Sequence, residues 1–223
     1  MRFQAIASDY DGTLARDGRV DRDTLAALER ARESGRKLIL VTGRELPSLR
    51  DVFSSLHLFD WIVAENGALL HCPATGEERL LCPAASCELV ANLRQRGLPL
   101  SVGKCMVATV RPHEVAVLLA IRELNLSLQV IFNKEAVMIL PRETDKSTGL
   151  SAVLSDLGLS SRSVVGIGDA ENDHELLGFC GCSVAVANAI PALKQRADLV
   201  TAGSYGAGVV EVINRLIDTD RLC

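Results

Sequence analysis

The chain has 223 residues, with 24 Lys and Arg against 28 Asp and Glu for a formal net charge of -4. No long block of either sign interrupts it, which argues against nucleic acid as a partner. Its apolar residues fall in short runs, well under the ~18 needed to span a membrane, and its length suits one large domain or a domain with a smaller companion.

Met1-Arg2 runs directly into a strand-like segment without a cleavable leader, and the seven cysteines (72, 82, 87, 105, 180, 182 and 223) are odd in number and irregularly spaced. That pattern predicts reduced thiols in a soluble, cytoplasmic protein. Cys180-Gly181-Cys182 lacks the second pair or nearby His that a soft-metal site needs, and the four histidines form no zinc motif.

The first element is an apolar strand ending in Asp9-Tyr10-Asp11-Gly12-Thr13-Leu14. Side chains two apart on a strand share a face, so Asp9 and Asp11 start on one side before Gly12 turns the chain. Two acids that close bind a metal, share a proton or strain, although Asp-Gly pairs also make plain surface turns. A helix follows from Asp23 to Ser34, then a continuously apolar strand, Leu38 to Val41, broken by Thr42-Gly43-Arg44. A second helix carrying Leu46, Leu49, Val52, Phe53 and Leu56 leads to the strand Trp61 to Ala64 and the polar Glu65-Asn66-Gly67. Ala68 to His71 and Arg79 to Cys82 read as a hairpin.

Residues 83–143 change character, reading as helix, strand, helix and two strands: an α+β insert of about 60 residues, near the lower end of domain size. The parallel pattern then resumes with a helix stopped by Gly158, the strand Ser163 to Ile167, a strand at Ser183 to Val186, a helix opened by Pro191, and a terminal helix with Val209, Val212, Ile213 and Leu216. The expected fold is α/β: a doubly wound, mostly parallel sheet over 1–82 and 144–223, interrupted once by the insert. Right-handed crossovers put the carboxyl ends of its strands along one edge.

Four polar groups fall at that edge: Asp9 with Asp11, Thr42 with Gly43, Lys146, and Gly168-Asp169-Ala170-Glu171-Asn172-Asp173. Asp169 and Asp173 could simply cap a helix, but Lys146 begins one, where a cation is misplaced unless it serves an anion. Gly166-x-Gly168 is not a dinucleotide fingerprint, because Glu171 stands where the third glycine belongs.

In this order the chain resembles the haloacid dehalogenase superfamily, with Asp9-Tyr10-Asp11-Gly12-Thr13-Leu14 as its first motif, Thr42-Gly43-Arg44 as its second, Lys146 as its third and Gly168 to Asp173 as its fourth. The insert is similar to the α+β cap of the Cof-like branch, which includes sugar-phosphate phosphatases. The resemblance implies a Rossmann-like core and a phosphatase for small phosphorylated metabolites, sugar phosphates or phosphoglycolate. It makes Asp9 the nucleophile and Asp11 the acid and base. Mg²⁺ would be held by Asp9, the Asp11 main-chain carbonyl and Asp169. Thr42, Gly43, Lys146 and Asn172 would serve the phosphate, and Asp173 would orient Lys146 or metal-bound water. Arg44 and Asn66 are weaker candidates for substrate contact, and Lys104, Arg111 and Lys134 for contacts from the cap. A phosphomutase using the same phosphoaspartate is the nearest competing expectation. A receiver domain or a non-catalytic phosphate-binding regulator stands further off.

Overall fold

The computed structural model describes residues 1–222. Its larger layer is an eight-stranded sheet built from β1 (Ala5–Ser8), β2 (Lys37–Val41), β3 (Trp61–Ala64), β4 (Leu69–His71), β5 (Glu78–Leu80), β10 (Val164–Gly168), β11 (Cys182–Ala185) and β12 (Leu199–Val200). The order is β12-β11-β10-β1-β2-β3-β4-β5, parallel from β12 through β3, with β4 and β5 running antiparallel at the edge. Strands consecutive in sequence leave β1 in one direction through β2 and β3. The later strands leave it in the other through β10 and β11. The reversal therefore lies between β1 and β10, and a doubly wound sheet opens its ligand crevice at the carboxyl ends beside such a reversal.

Both faces of this sheet are covered, which is why its central strands are apolar on consecutive residues rather than alternately. On one face Ile6, Leu38, Leu40 and Ile62 pack with Ala27 and Leu28 of α1 (Arg22–Glu33), Leu49 of α2 (Leu46–Val52), and Val209, Val212 and Leu216 of α8 (Gly206–Thr219). On the other, Ala7, Ile39, Val41 and Val63 meet Leu150, Val153 and Leu154 of α5 (Lys146–Leu157) and Leu176 of α6 (His174–Phe179). The short α7 (Pro191–Lys194) precedes β12.

The insert forms its own four-stranded antiparallel sheet, ordered β6 (Ser101–Val102), β7 (Val107–Val110), β9 (Ala136–Pro141) and β8 (Leu128–Asn133). The period-2 alternation of β9 divides its side chains between two cores. Val137 and Ile139 face Leu89 and Leu93 of α3 (Cys87–Gln95) and Val117 and Ala120 of α4 (Glu114–Glu123). Met138 and Leu140 turn the opposite way, onto Ala68 of the larger layer, together with Cys105 and Met106.

A buried polar contact helps join the layers. Glu65, buried at the end of β3 with φ 50°, accepts backbone N–H groups from Lys104 and Cys105 at 2.8 Å and Met106 at 2.9 Å. A Cβ on Gly103 would lie 2.6 Å from the Glu65 carboxyl carbon, so the turn between β6 and β7 closes on that carboxylate only because residue 103 has no side chain.

Among the described residues, the expectation of uniformly reduced thiols fails at Cys182. Cys72, Cys82, Cys87, Cys105 and Cys180 are free, but Cys182 on β11 is disulfide-bonded. Burial pushes the Cys180 thiol up to about 12, which makes it a packing group rather than a nucleophile. No described helix is long and apolar enough to cross a membrane.

Candidate active site

Asp9 follows β1 directly, its N–H donating to the Ile167 carbonyl of β10 at 2.9 Å, so the two strands bordering the reversal deliver Asp9 and Asp169 side by side. Asp169 ends β10, and Asp173 folds back over it in a 3₁₀ turn (Glu171–Asp173), accepting the N–H groups of Asp169 and Ala170 at 2.9 and 3.0 Å. Asp9, Asp169 and Asp173 are all buried, and one carboxylate oxygen from each lies within 4.8 Å of the others.

Lys146 is the first residue of α5. Its helix is fixed by a capping box in which Asp145 accepts from Ser147 and Thr148 while Thr148 accepts from the Asp145 N–H. The Lys146 side chain is completely buried, and Nζ reaches Asp9 at 2.5 Å and Asp173 at 2.6 Å. A cation at a helix N-terminus opposes the dipole, and two carboxylates supply the compensation. A second ammonium arrives from the insert: Lys134, at the β8–β9 turn with φ 53°, donates to Asp169 at 2.8 Å. Thr13 donates to the other Asp169 oxygen at 3.1 Å.

Three buried carboxylates against two ammonium groups leave the cluster one negative charge in excess. Burial pushes the Asp9 carboxyl well up, Lys146 pulls it down, and the Asp173 and Asp169 charges raise it further. Burial also raises Asp169, against the pull of Lys134. Burial alone would lower Lys146, but Asp173 and Asp9 outweigh it and hold the ammonium above its usual value. Hard oxygen donors with surplus negative charge fit a divalent cation. The loop makes room for these donors at Gly12 (φ +92°), where a Cβ would lie 2.7 Å from the Asp169 carboxyl carbon. Asn188 fastens that turn by donating to the Gly12 carbonyl at 2.8 Å.

Asp11 stands apart from the cluster. Its partly exposed carboxylate receives both Nε and Nη2 of Arg44, at 2.6 and 2.8 Å, and this pairing raises the Arg44 guanidinium. Thr42 Oγ1 accepts the Arg44 N–H at 3.1 Å. The loop 42–44 is zipped to the loop 65–67 through Asn66 N–H to Thr42 O and Glu65 N–H to Arg44 O, both 2.9 Å. Asn172 donates to Asn66 Oδ1 at 2.9 Å, and a Cβ on Gly43 would stand 3.6 Å from Asn172 Nδ2.

The structure therefore gathers Asp9, Lys146, Asp169 and Asp173 in one cluster and Gly43, Asn66 and Asn172 beside one another, and engages Arg44 with Asp11. Of the three candidate cations of the insert, Lys104 pairs with Glu78, and Arg111 lies over Phe132 with Glu114 3.8 Å away. Lys134 alone of these reaches the acid cluster. The roles of Thr13, Glu65 and Asn188 escaped the sequence reading, because each acts through partners 39 to 176 residues distant.

The profile of the haloacid dehalogenase-like hydrolases matches residues 6–102 and 101–213. The chain belongs to that family. Among curated relatives, phosphoglycolate phosphatase of Methanothermobacter thermautotrophicus is 31% identical over 96% of this chain and 99% of its own length. The Haloarcula marismortui phosphoglycolate phosphatase is 33% identical, covering 92% and 93%. A haloacid dehalogenase-like hydrolase from Bacteroides thetaiotaomicron shares the fold with a TM-score of 0.82 at 22% identity, over 96% of this chain and 99% of its own. A Cof-like hydrolase from Plasmodium vivax does so with 0.82 at 19% identity, over 97% and 96%. The chain is a phosphatase of this family, and its mixed α/β fold matches those neighbours.

Proposed function

We propose that this phosphatase hydrolyses small phosphorylated metabolites, sugar phosphates and phosphoglycolate among them, through an aspartyl phosphate on Asp9. The observation that carries the reading is the meeting of Asp9, Asp169, Asp173 and Lys146 at the reversal of the sheet. Lys146 holds one oxygen of Asp9, and the other attacks phosphorus as the ester P–O bond breaks. Asp11, released from Arg44, donates its proton to the departing alkoxide. It then takes a proton from the water that attacks the phosphoenzyme, freeing inorganic phosphate and restoring Asp9. Thr42, the Gly43 amide, Asn172 and Lys146 hold the phosphate oxygens, with Asp173 orienting Lys146.

A resident Mg²⁺ would be held by Asp9, the Asp11 main-chain carbonyl and Asp169, and would offset the repulsion between nucleophile and phosphate. Residues 83–143 act as the cap over the crevice and 1–82 with 144–223 as the catalytic core. The phosphoglycolate phosphatases among its relatives support phosphoglycolate as one substrate. A phosphate-release screen over small phosphomonoesters with Mg²⁺ tests the reading, with Asp9→Asn as the blank. Release that survives Asp9→Asn at the parent rate would overturn it.

A further inference from the structure

Asn188, in the loop between β11 and α7, reaches 176 residues back to the turn that follows Asp9. Gly12 separates two peptide planes in that turn at φ +92°, and a glycine lets its flanking planes turn independently unless both are held. The Asp11–Gly12 peptide is held through its N–H, which donates to the Ala15 carbonyl at 2.9 Å. The Gly12–Thr13 peptide has only a long backbone bond, Thr13 N–H to the Tyr10 carbonyl at 3.4 Å. Its close partner is Asn188 Nδ2, which donates to the Gly12 carbonyl at 2.8 Å. Beyond that peptide Thr13 Oγ1 donates to Asp169, and a Cβ on Gly12 would fall on the same carboxylate. Turning this one plane therefore disturbs both contacts with Asp169.

The Asn188 carboxamide is itself aimed from behind. Its Oδ1 accepts the Tyr205 N–H at 2.7 Å. A backbone N–H only donates and a carbonyl only accepts, so the two partners dictate which end of the carboxamide faces which. Tyr205 makes its bond from φ 53° and ψ -139°, backbone that glycine favours. Such strain persists where the surroundings impose it, typically at functional sites. Here the surroundings include the turn's own continuation. A Cβ on Gly206 would lie 3.2 Å from the Leu14 carbonyl and 2.0 Å from Thr24 Oγ1, and the Arg16 guanidinium stands 5.6 Å from the centre of the Tyr205 ring. The contacts close a ring, from Gly12 through Asn188 and Tyr205 back to Leu14 and Arg16.

We propose that Asn188 is a positioning residue for the metal site: by fixing the Gly12–Thr13 peptide it holds Gly12 and Thr13 against Asp169, and so sets how tightly the site binds its divalent cation. This rests on the metal site of the phosphatase reading.

Calorimetric titration of the parent, Asn188→Ala and Asn188→Leu with Mg²⁺ alone tests the proposal without any substrate. Both variants are expected to bind Mg²⁺ about tenfold or more weakly, the usual loss when a group that orients metal ligands is removed. Urea unfolding in chelator establishes that each variant is folded, and leucine keeps the bulk of the carboxamide should alanine fail. With a phosphomonoester, the half-saturating Mg²⁺ should rise by the same factor while kcat at saturating Mg²⁺ returns toward the parent value, a split that a merely structural loss would not produce. Parent-like Mg²⁺ affinity in either folded variant would overturn the positioning role and leave the phosphatase reading intact. No Mg²⁺ binding by the parent would overturn the role and the metal site together. Absence of Asp9-dependent phosphate release from a panel of phosphomonoesters would overturn the phosphatase reading, while weakened Mg²⁺ binding in the variants would still support the role of Asn188.

Discussion

Removing the Lys146 ammonium while keeping its aliphatic bulk, as in Lys146→Met, should cost the cation-free protein about 3–5 kcal/mol of stability, the usual penalty for breaking a buried ion pair from one side. The geometry places it in that class: Nζ is completely buried and lies 2.5 and 2.6 Å from two carboxylates that are themselves buried. For a chain of this length that corresponds to a fall of roughly 6–20 °C in Tm. Asp9 is already raised above its usual range by burial, and losing Lys146 removes the chief influence lowering it. A carboxyl raised in the folded state stabilises below its unfolded value and loses that contribution as pH rises toward its folded value. The penalty should therefore be smallest near pH 4 and grow toward pH 7. Urea unfolding of parent and variant across that range, with chelator and then with Mg²⁺, measures both effects, and Mg²⁺ should restore more stability to the variant than to the parent. Equal stability of the two proteins at pH 7 in chelator would refute the reasoning, because it would mean the buried acids do not depend on Lys146.

Three other substitutions probe separate features. Gly12→Ala forces a Cβ onto the Asp169 carboxyl and a strained φ of +92°, and should weaken Mg²⁺ binding by tenfold or more in a calorimetric titration; parent-like affinity would remove the loop from the metal site. Lys134→Ala frees an Asp169 oxygen and should tighten Mg²⁺ binding, while stability changes by less than about 1 kcal/mol because the ammonium is half exposed; weaker binding would count against competition between ammonium and metal. Asp198 is lowered by accepting from the Ser183 hydroxyl and N–H at 2.7 and 2.9 Å, a clamp between β11 and β12. A lowered carboxylate stabilises above its unfolded value and loses that contribution as pH falls through its folded value, so Asp198→Asn should lower Tm at pH 6 and have less effect at pH 3.

The doubly wound layer was legible because its signals are local: apolar runs such as Leu38 to Val41, bounded by turn residues, mark buried strands, and Gly35 and Gly158 mark helix ends. Candidate residues at strand ends were legible for the same reason, since a parallel sheet places its carboxyl ends together whatever the tertiary detail. Contacts that depend on how the two layers meet were not. Lys134 reads as a turn residue and a candidate substrate contact, and only the docking of β8 beside the Glu171–Asp173 turn brings its ammonium to Asp169. Arg44 reads as a free cation in a loop facing substrate, yet its guanidinium matches the Asp11 carboxylate in a two-point pairing that no spacing announces. Glu65 reads only as part of the polar Glu65-Asn66-Gly67 after a strand, and its buried carboxylate is met by three backbone amides 39 to 41 residues away.

The Glu65 anchor has a mechanical consequence. The turn it grips joins β6 to β7, whereas the β8–β9 turn bearing Lys134 lies at the opposite end of the same small sheet. A body pinned at one end and touching at the other behaves as a rocker arm. Its fulcrum is a carboxylate held by three amide hydrogens, and its far tip is Lys134, whose half-exposed ammonium meets Asp169 and whose N–H meets Glu171. A small tilt about Glu65 would give the largest travel at Lys134, so the crevice would widen first beside Asp169 while the Asn66 side kept its shape.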